Sequence, residues 1–164
     1  MENLTVDRLK QVAKYHPTTG VFVRRTYGGG VKPGERMGSV DVNGYVIISI
    51  DDKTHKAHRL AWLYMYGEWP SKDIDHRDNC GDHNWIDNLR VATVSENKAN
   101  SKVYKNNTSG FKGVRYYRWN GKWLARIGAG KKRIHLGYFS TREEAAEAYA
   151  IAAEKYHGEF ARVK

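Results

Sequence analysis

Cysteine is nearly missing from this 164-residue chain, in which Cys80 stands alone. One thiol forms no internal disulfide and no cysteine-rich zinc site, which points to a reducing compartment, the cytoplasm by default. Long apolar runs are missing too. No stretch nears the roughly 20 residues of a membrane span, so no membrane is expected as partner. The amino terminus reads as polar helix, not as a signal peptide. Acidic residues are scarce in one region: residues 101–164 carry 14 Lys+Arg against 5 Asp+Glu, while residues 1–100 carry 14 against 13. A cationic half with the patterning of a folded domain suits a polyanion, because each neutralised phosphate releases counterions.

Thr5 can cap a short helix carrying Val6, Leu9 and Val12, with Leu4 packing on Leu9. HPTTG ends it at 16–20. Residues 21–23 and 44–50 read as strands, separated by TYGGGVKPGERMG. That Gly-rich loop lacks the Lys-Ser/Thr ending of a phosphate-binding loop and reads as a flexible connection. In AHRLAWLYMYGEWP, Leu60, Leu63 and Tyr64 lie at helical spacing, and Gly67 and Pro70 stop the helix. The polar, aliphatic-poor segment after Asn100 coincides with the charge shift, so 101–109 is expected to link a domain at 1–100 to one at 110–164.

Beyond the linker come strands at 113–118, 122–127 and 133–138 and a helix at 141–157, opened by a Ser140/Glu143 capping box. Strand alternation turns Trp123, Ala125, Ile127, Ile134, Leu136 and Tyr138 toward a helix stripe of Ala145, Ala148, Tyr149, Ala152 and Tyr156. The opposite face carries Arg115, Tyr117, Arg126, Arg133 and His135. A ribbon of this kind can enter the DNA major groove, where arginine forks match the acceptors of guanine.

The run SGFKGVRYYRWNGKWLARI, with KRIHLGYFSTREEAAEAYAIAAEKYHGEFARV after it, resembles an Apetala-type (AP2/ERF-like) DNA-binding domain over about 109–163. The resemblance implies double-stranded DNA as partner and a reading face of Lys112, Arg115, Tyr117, Trp119, Arg126, Arg133 and His135. Tyr117, Arg126 and His135 depart from the plant pattern, so no target sequence carries over. Charge alone would also suit RNA.

DIDHRDNCGDHNWIDNLRVATVSENKAN packs a different chemistry into residues 73–100. A carboxylate is a hard ligand suited to Mg²⁺, and a neutral His can take a proton from water near pH 7. Asp75 and His76 would point to opposite sides of an extended strand. A Thr93/Glu96 capping box would start a helix carrying Asn97. Asn88 lies 12 and Asn97 21 residues beyond His76. Residues 58–100, through HRLAW, DHRD, NWIDNLR and SENKAN, resemble the HNH nuclease family, phage and homing enzymes with a ββα metal site.

That resemblance implies His76 as general base, Asp75 and Asn97 as ligands of a divalent cation, and Asn88 as the residue fixing the loop that orients His76. The ion would be Mg²⁺, with Mn²⁺ the alternative. Relatives often carry paired CxxC zinc ligands; their absence implies no structural zinc, with aromatics around Trp62, Tyr66 and Trp69 holding the core. His58 and Arg59 are weaker candidates for phosphate contacts. His83 reads as solvent-facing and Cys80 as a small loop residue. The expectation is an α+β chain: a ββα-metal HNH domain, then a three-stranded antiparallel sheet with one packed helix. It would act as a metal-dependent DNA endonuclease, nicking as a monomer or breaking both strands as a homodimer. The alternative is a DNA-binding regulator with an inactive nuclease module.

Overall fold

The computed structural model describes residues 4–28, 30–130 and 132–163. They form two compact units, one ending at Ala92 and the other beginning at Thr93.

In the first unit Thr5 caps α1 (Val6–Val12) by accepting the Arg8 N–H. The chain then runs straight into β1 (Ala13–His16), a strand that the sequence pattern does not signal. The HPTTG turn folds β1 onto β2 (Val21–Arg24) as an antiparallel hairpin. Gly20 sits at φ 74°, and a Cβ there would lie 2.3 Å from the Asn84 carbonyl carbon. Only glycine lets this turn approach the loop that carries the candidate site. The Gly-rich segment is not a free connection. Met37 is buried, its N–H bonds Phe22 O, and β3 (Ser39–Val40) pairs with β4 (Val46–Ile50). Asp51 and Asp52, both at positive φ, turn the chain into β5 (Lys53–Lys56), a second strand without a sequence signal.

The helix α2 (Ala57–Tyr66) follows and stops at Gly67, whose left-handed backbone lets its N–H reach Leu63 O. Leu9, Val12, Phe22, Ile48, Leu60 and Leu63 make the core. Trp62 and Trp69 pack on its edge. Tyr66 does not belong to it: its ring is exposed and stacks on Trp62. The unit closes with β6 (Asp73–His76) and β7 (Leu89–Ala92), antiparallel, pairing Asp75 with Arg90 and His76 with Leu89.

The second unit opens with α3 (Val94–Asn100), held by the expected Thr93/Glu96 capping box. This helix packs against α4 (Arg142–His157) and the 3₁₀ turn Gly158–Phe160, so the compact division falls ahead of the polar 101–109 segment. The antiparallel sheet orders as β10 (Lys132–Phe139), β9 (Lys122–Ala129), β8 (Val114–Tyr117), with α4 across one face. Val114, Ala125, Ile127, Ala145, Tyr149 and Ala152 fill the space between. The α4 cap lies one residue later than expected, on Thr141 and Glu144. Tyr156 leaves the apolar stripe for solvent, and Ala153 takes part in its place.

One correction affects the DNA-facing side. A register shift between His135 and Gly137 breaks the alternation of β10. Phe139 therefore packs into the core and Tyr138, expected there, is 41% exposed.

Candidate functional site

Asp75 and His76 end β6, and the loop 77–88 returns the chain through the 3₁₀ turn Ile86–Asn88 to β7. Both residues are only 5% exposed. Their surroundings are polar, not hydrocarbon. Asp75 Oδ2 accepts a 2.8 Å bond from Arg90 Nε, a buried ion pair placed by the strand register. His76 Nε2 lies 3.1 Å from Asn84 Oδ1. A carboxamide oxygen only accepts, so Nε2 carries the proton and the basic lone pair of the neutral ring is on Nδ1. Burial pushes His76 below its ordinary pKa, against the opposing pull of Asn84, Asp78 and Asp75. The ring is therefore neutral at pH 7, the form a general base requires.

Around His76 the rings of His58 and Tyr45 lie at 5.0 and 5.9 Å between centroids. Burial, with His76, Lys56 and Arg59 adding repulsion, drives His58 down to about 3. His58 Nδ1 is buried without a hydrogen-bond partner.

The loop is fixed by Asn88 and Asn84. Asn88 Oδ1 accepts from Asp78 N–H, and its Nδ2 donates to Asp78 Oδ1 and His83 O. Its carboxamide is spent inside the loop, which makes Asn88 a positioning residue. Asn84 is 1% exposed; its carbonyl accepts from the Tyr15 hydroxyl at 2.6 Å while its side chain meets His76. A single Asn among seven other charged, His or Asn residues of the loop gives no spacing signal, so the sequence alone does not single out Asn84. Asp78 has no spacing signal either, and His83 reads as solvent-facing from the sequence. His83 is no idle surface residue: its Nδ1 lies 2.6 Å from Asp78 Oδ2. Burial opposes ionisation of Asp78, but bonds from Cys80 N–H, His83 and Asn88 outweigh it and hold its carboxyl below the usual range.

Asn97, the remaining expected ligand, is half-buried on α3 in the second unit. In that unit Lys112 is not a free cation: its Nζ donates to the carbonyls of Lys98, Ala99 and Ser101 at the end of α3. The other expected contacts share the sheet face away from α4. Arg126 pairs across the strands with His135, and Arg115 stacks over the Tyr117 ring at 5.7 Å. Tyr138 joins them, 5.4 Å from Tyr117 and 4.9 Å from His135. Burial, then Arg115 and Arg133, lower the Arg126 pKa. Among the described residues none of these arginines pairs with a carboxylate. Trp119, in the β8–β9 turn, is 92% exposed.

These two constellations have counterparts among known proteins. The family model described as HNH endonuclease matches residues 55–99, and that of the AP2 domain matches residues 109–159. The chain thus carries an HNH endonuclease segment followed by an AP2 domain. Curated relatives match as well: the AP2-like ethylene-responsive transcription factor AIL5 of Arabidopsis thaliana is 35% identical over 111 residues, 66% of this chain and 20% of its own length. Its counterpart CRL5 of Oryza sativa subsp. japonica is 34% identical over 112 residues, 66% of this chain and 18% of its own. The ethylene-responsive transcription factor WRI1 of Arabidopsis thaliana is 43% identical over 60 residues, 35% of this chain and 14% of its own. The chain spans about a fifth or less of these relatives. No helix among the described residues is long and apolar enough to cross a membrane.

Proposed function

We propose that the chain is a metal-dependent endonuclease of double-stranded DNA, cutting with its HNH segment and holding the duplex on the AP2 sheet. The neutral His76, with its Nε2–H directed to Asn84 within the matched HNH segment, carries this reading. Asp75 offers a carboxylate oxygen, a hard donor that suits Mg²⁺ or Mn²⁺. Such an ion, when bound, neutralises charge on the scissile phosphate and the leaving oxygen. His76 Nδ1 takes a proton from water, the oxygen attacks phosphorus in line, and the bond to the 3′ oxygen breaks to leave a 5′ phosphate. Asn84 holds the imidazole, Asn88 fixes the loop that carries Asn84, and the exposed Arg115, Arg133 and Tyr138 face the duplex. One such site per chain cuts one strand, so a monomer nicks and a homodimer breaks both. The cytoplasm suits such an activity.

A second reading has its own support. The Asp75–Arg90 ion pair and the burial of His76 describe a closed site, as in a DNA-binding regulator whose nuclease segment is idle. Supercoiled plasmid incubated with Mg²⁺ separates the two. Wild type is expected to nick and His76→Ala is not; inertness of both, with duplex binding intact, selects the regulator.

A further inference from the structure

The loop 77–88 brings together three side chains of unlike donor type. A carboxylate oxygen of Asp78, the Cys80 sulfur and a ring nitrogen of His83 all lie within 4.8 Å of one another. We infer that Asp78, Cys80 and His83 form a second cation site, separate from Asp75 and Asn97, that takes a borderline transition ion of the zinc type. The donor set selects the ion. A thiolate and an imidazole disfavour Mg²⁺ and Ca²⁺, whereas oxygen, sulfur and nitrogen together with one solvent molecule complete a tetrahedron for Zn²⁺.

The site is built before any ion arrives. Asp78 Oδ1 is fixed by Cys80 N–H at 2.9 Å and Asn88 Nδ2 at 3.0 Å, which directs Oδ2 to His83 Nδ1 at 2.6 Å. Carboxylate ligands of metals are held by outer bonds of this kind. Asn79, at φ 61°, makes the turn that brings Cys80 back toward Asp78. The Asp78 and His83 side chains are 32% and 44% exposed, which leaves an approach from solvent. Thiolate, imidazole and carboxylate hold a divalent ion only when deprotonated, so binding releases protons and weakens as pH falls. The missing CxxC pairs exclude the usual zinc site of HNH relatives but not this one, whose ligands come from six consecutive residues. An ion here would stiffen the loop that presses Asn84 onto His76.

Co²⁺ titrated into the metal-stripped full-length chain tests this, with Zn²⁺ as competitor. One equivalent is expected to give visible d–d absorption of a four-coordinate ion and a near-ultraviolet sulfur-to-cobalt charge-transfer band, both lost to Zn²⁺. Cys80→Ser should remove the charge-transfer band, and His83→Ala should weaken binding about tenfold or more. Asp75→Asn should leave both bands, which separates this site from the cleavage chemistry. Circular dichroism checks that each variant is folded. A folded wild type without the charge-transfer band, or His83→Ala binding Co²⁺ as tightly as wild type, overturns the inference.

Discussion

His76 Nε2 and Asn84 Oδ1 meet at 3.1 Å across a loop, and this contact sets which imidazole nitrogen is basic. Nitrogen-resolved NMR of the imidazole should show His76 as the Nε2–H tautomer. Asn84→Leu removes the acceptor and is expected to lower the cleavage rate about 100-fold, a typical general-base contribution, with duplex affinity unchanged. Asn84→Asp keeps an acceptor but adds a negative charge that favours the imidazolium. The acid limb of the pH–rate profile should therefore move to higher pH. A limb that stays put in Asn84→Asp would mean another group limits the rate.

His58 makes the first unit sensitive to acid. Its folded pKa of about 3 lies below the ordinary 6.5, so between those values the unfolded chain binds more protons than the folded one. Stability is then full above pH 6.5 and falls as the pH drops toward 3, by on the order of 4 kcal/mol from this group alone. His76 is lowered too and adds to the loss. Urea unfolding of wild type and His58→Phe between pH 7 and pH 3 checks it. The variant should show a shallower loss; parallel curves would place the proton uptake elsewhere.

Much of this was legible in the sequence because local rules coincide with tertiary need. Thr5 and the Thr93/Glu96 pair cap their helices because those bonds are formed within one turn of chain. Asp75 and His76 are neighbours in DIDH and so share the strand that pairs with LRVA. Other features depend on distant partners. The β10 register shift that turns Tyr138 outward adds a single step to a regular alternation and leaves no composition signal. The strands β1 (AKYH) and β5 (KTHK) are short, one half polar and the other wholly polar, and they exist because β2 and β4 pair with them. Arg90 could be assigned to Asp75 only once the β6–β7 register was known.

Lys112 offers a sharp contrast between two roles. As a clamp on the Lys98, Ala99 and Ser101 carbonyls, it satisfies acceptors that a helix end leaves open and sits at the negative pole of α3. Lys112→Met is then expected to destabilise the second unit by about 1.5–3 kcal/mol, the range for charge-assisted bonds. The salt dependence of duplex binding should not change. A phosphate contact would instead reduce the salt slope by about 1 while leaving thermal stability intact.

Arg115, Arg126 and Arg133 sit on one open sheet face, with Arg126 repelled by both of the others. Holding uncompensated guanidinium groups together costs energy in the free protein, and a polyanion relieves it. Each is expected to lose about 1–3 kcal/mol of affinity for its preferred duplex when changed to Ala, against a Lys155→Ala control on α4 that changes little. Tyr138 joins Tyr117 and His135 on the same surface, so Tyr138→Ala should also weaken binding, whereas Phe139→Ala should lower stability first. Fluorescence anisotropy on a selected duplex across a salt series reads the five surface variants, and thermal unfolding reads Phe139→Ala. If the arginine variants bind no worse than Lys155→Ala, the duplex lies on some other surface of the second unit.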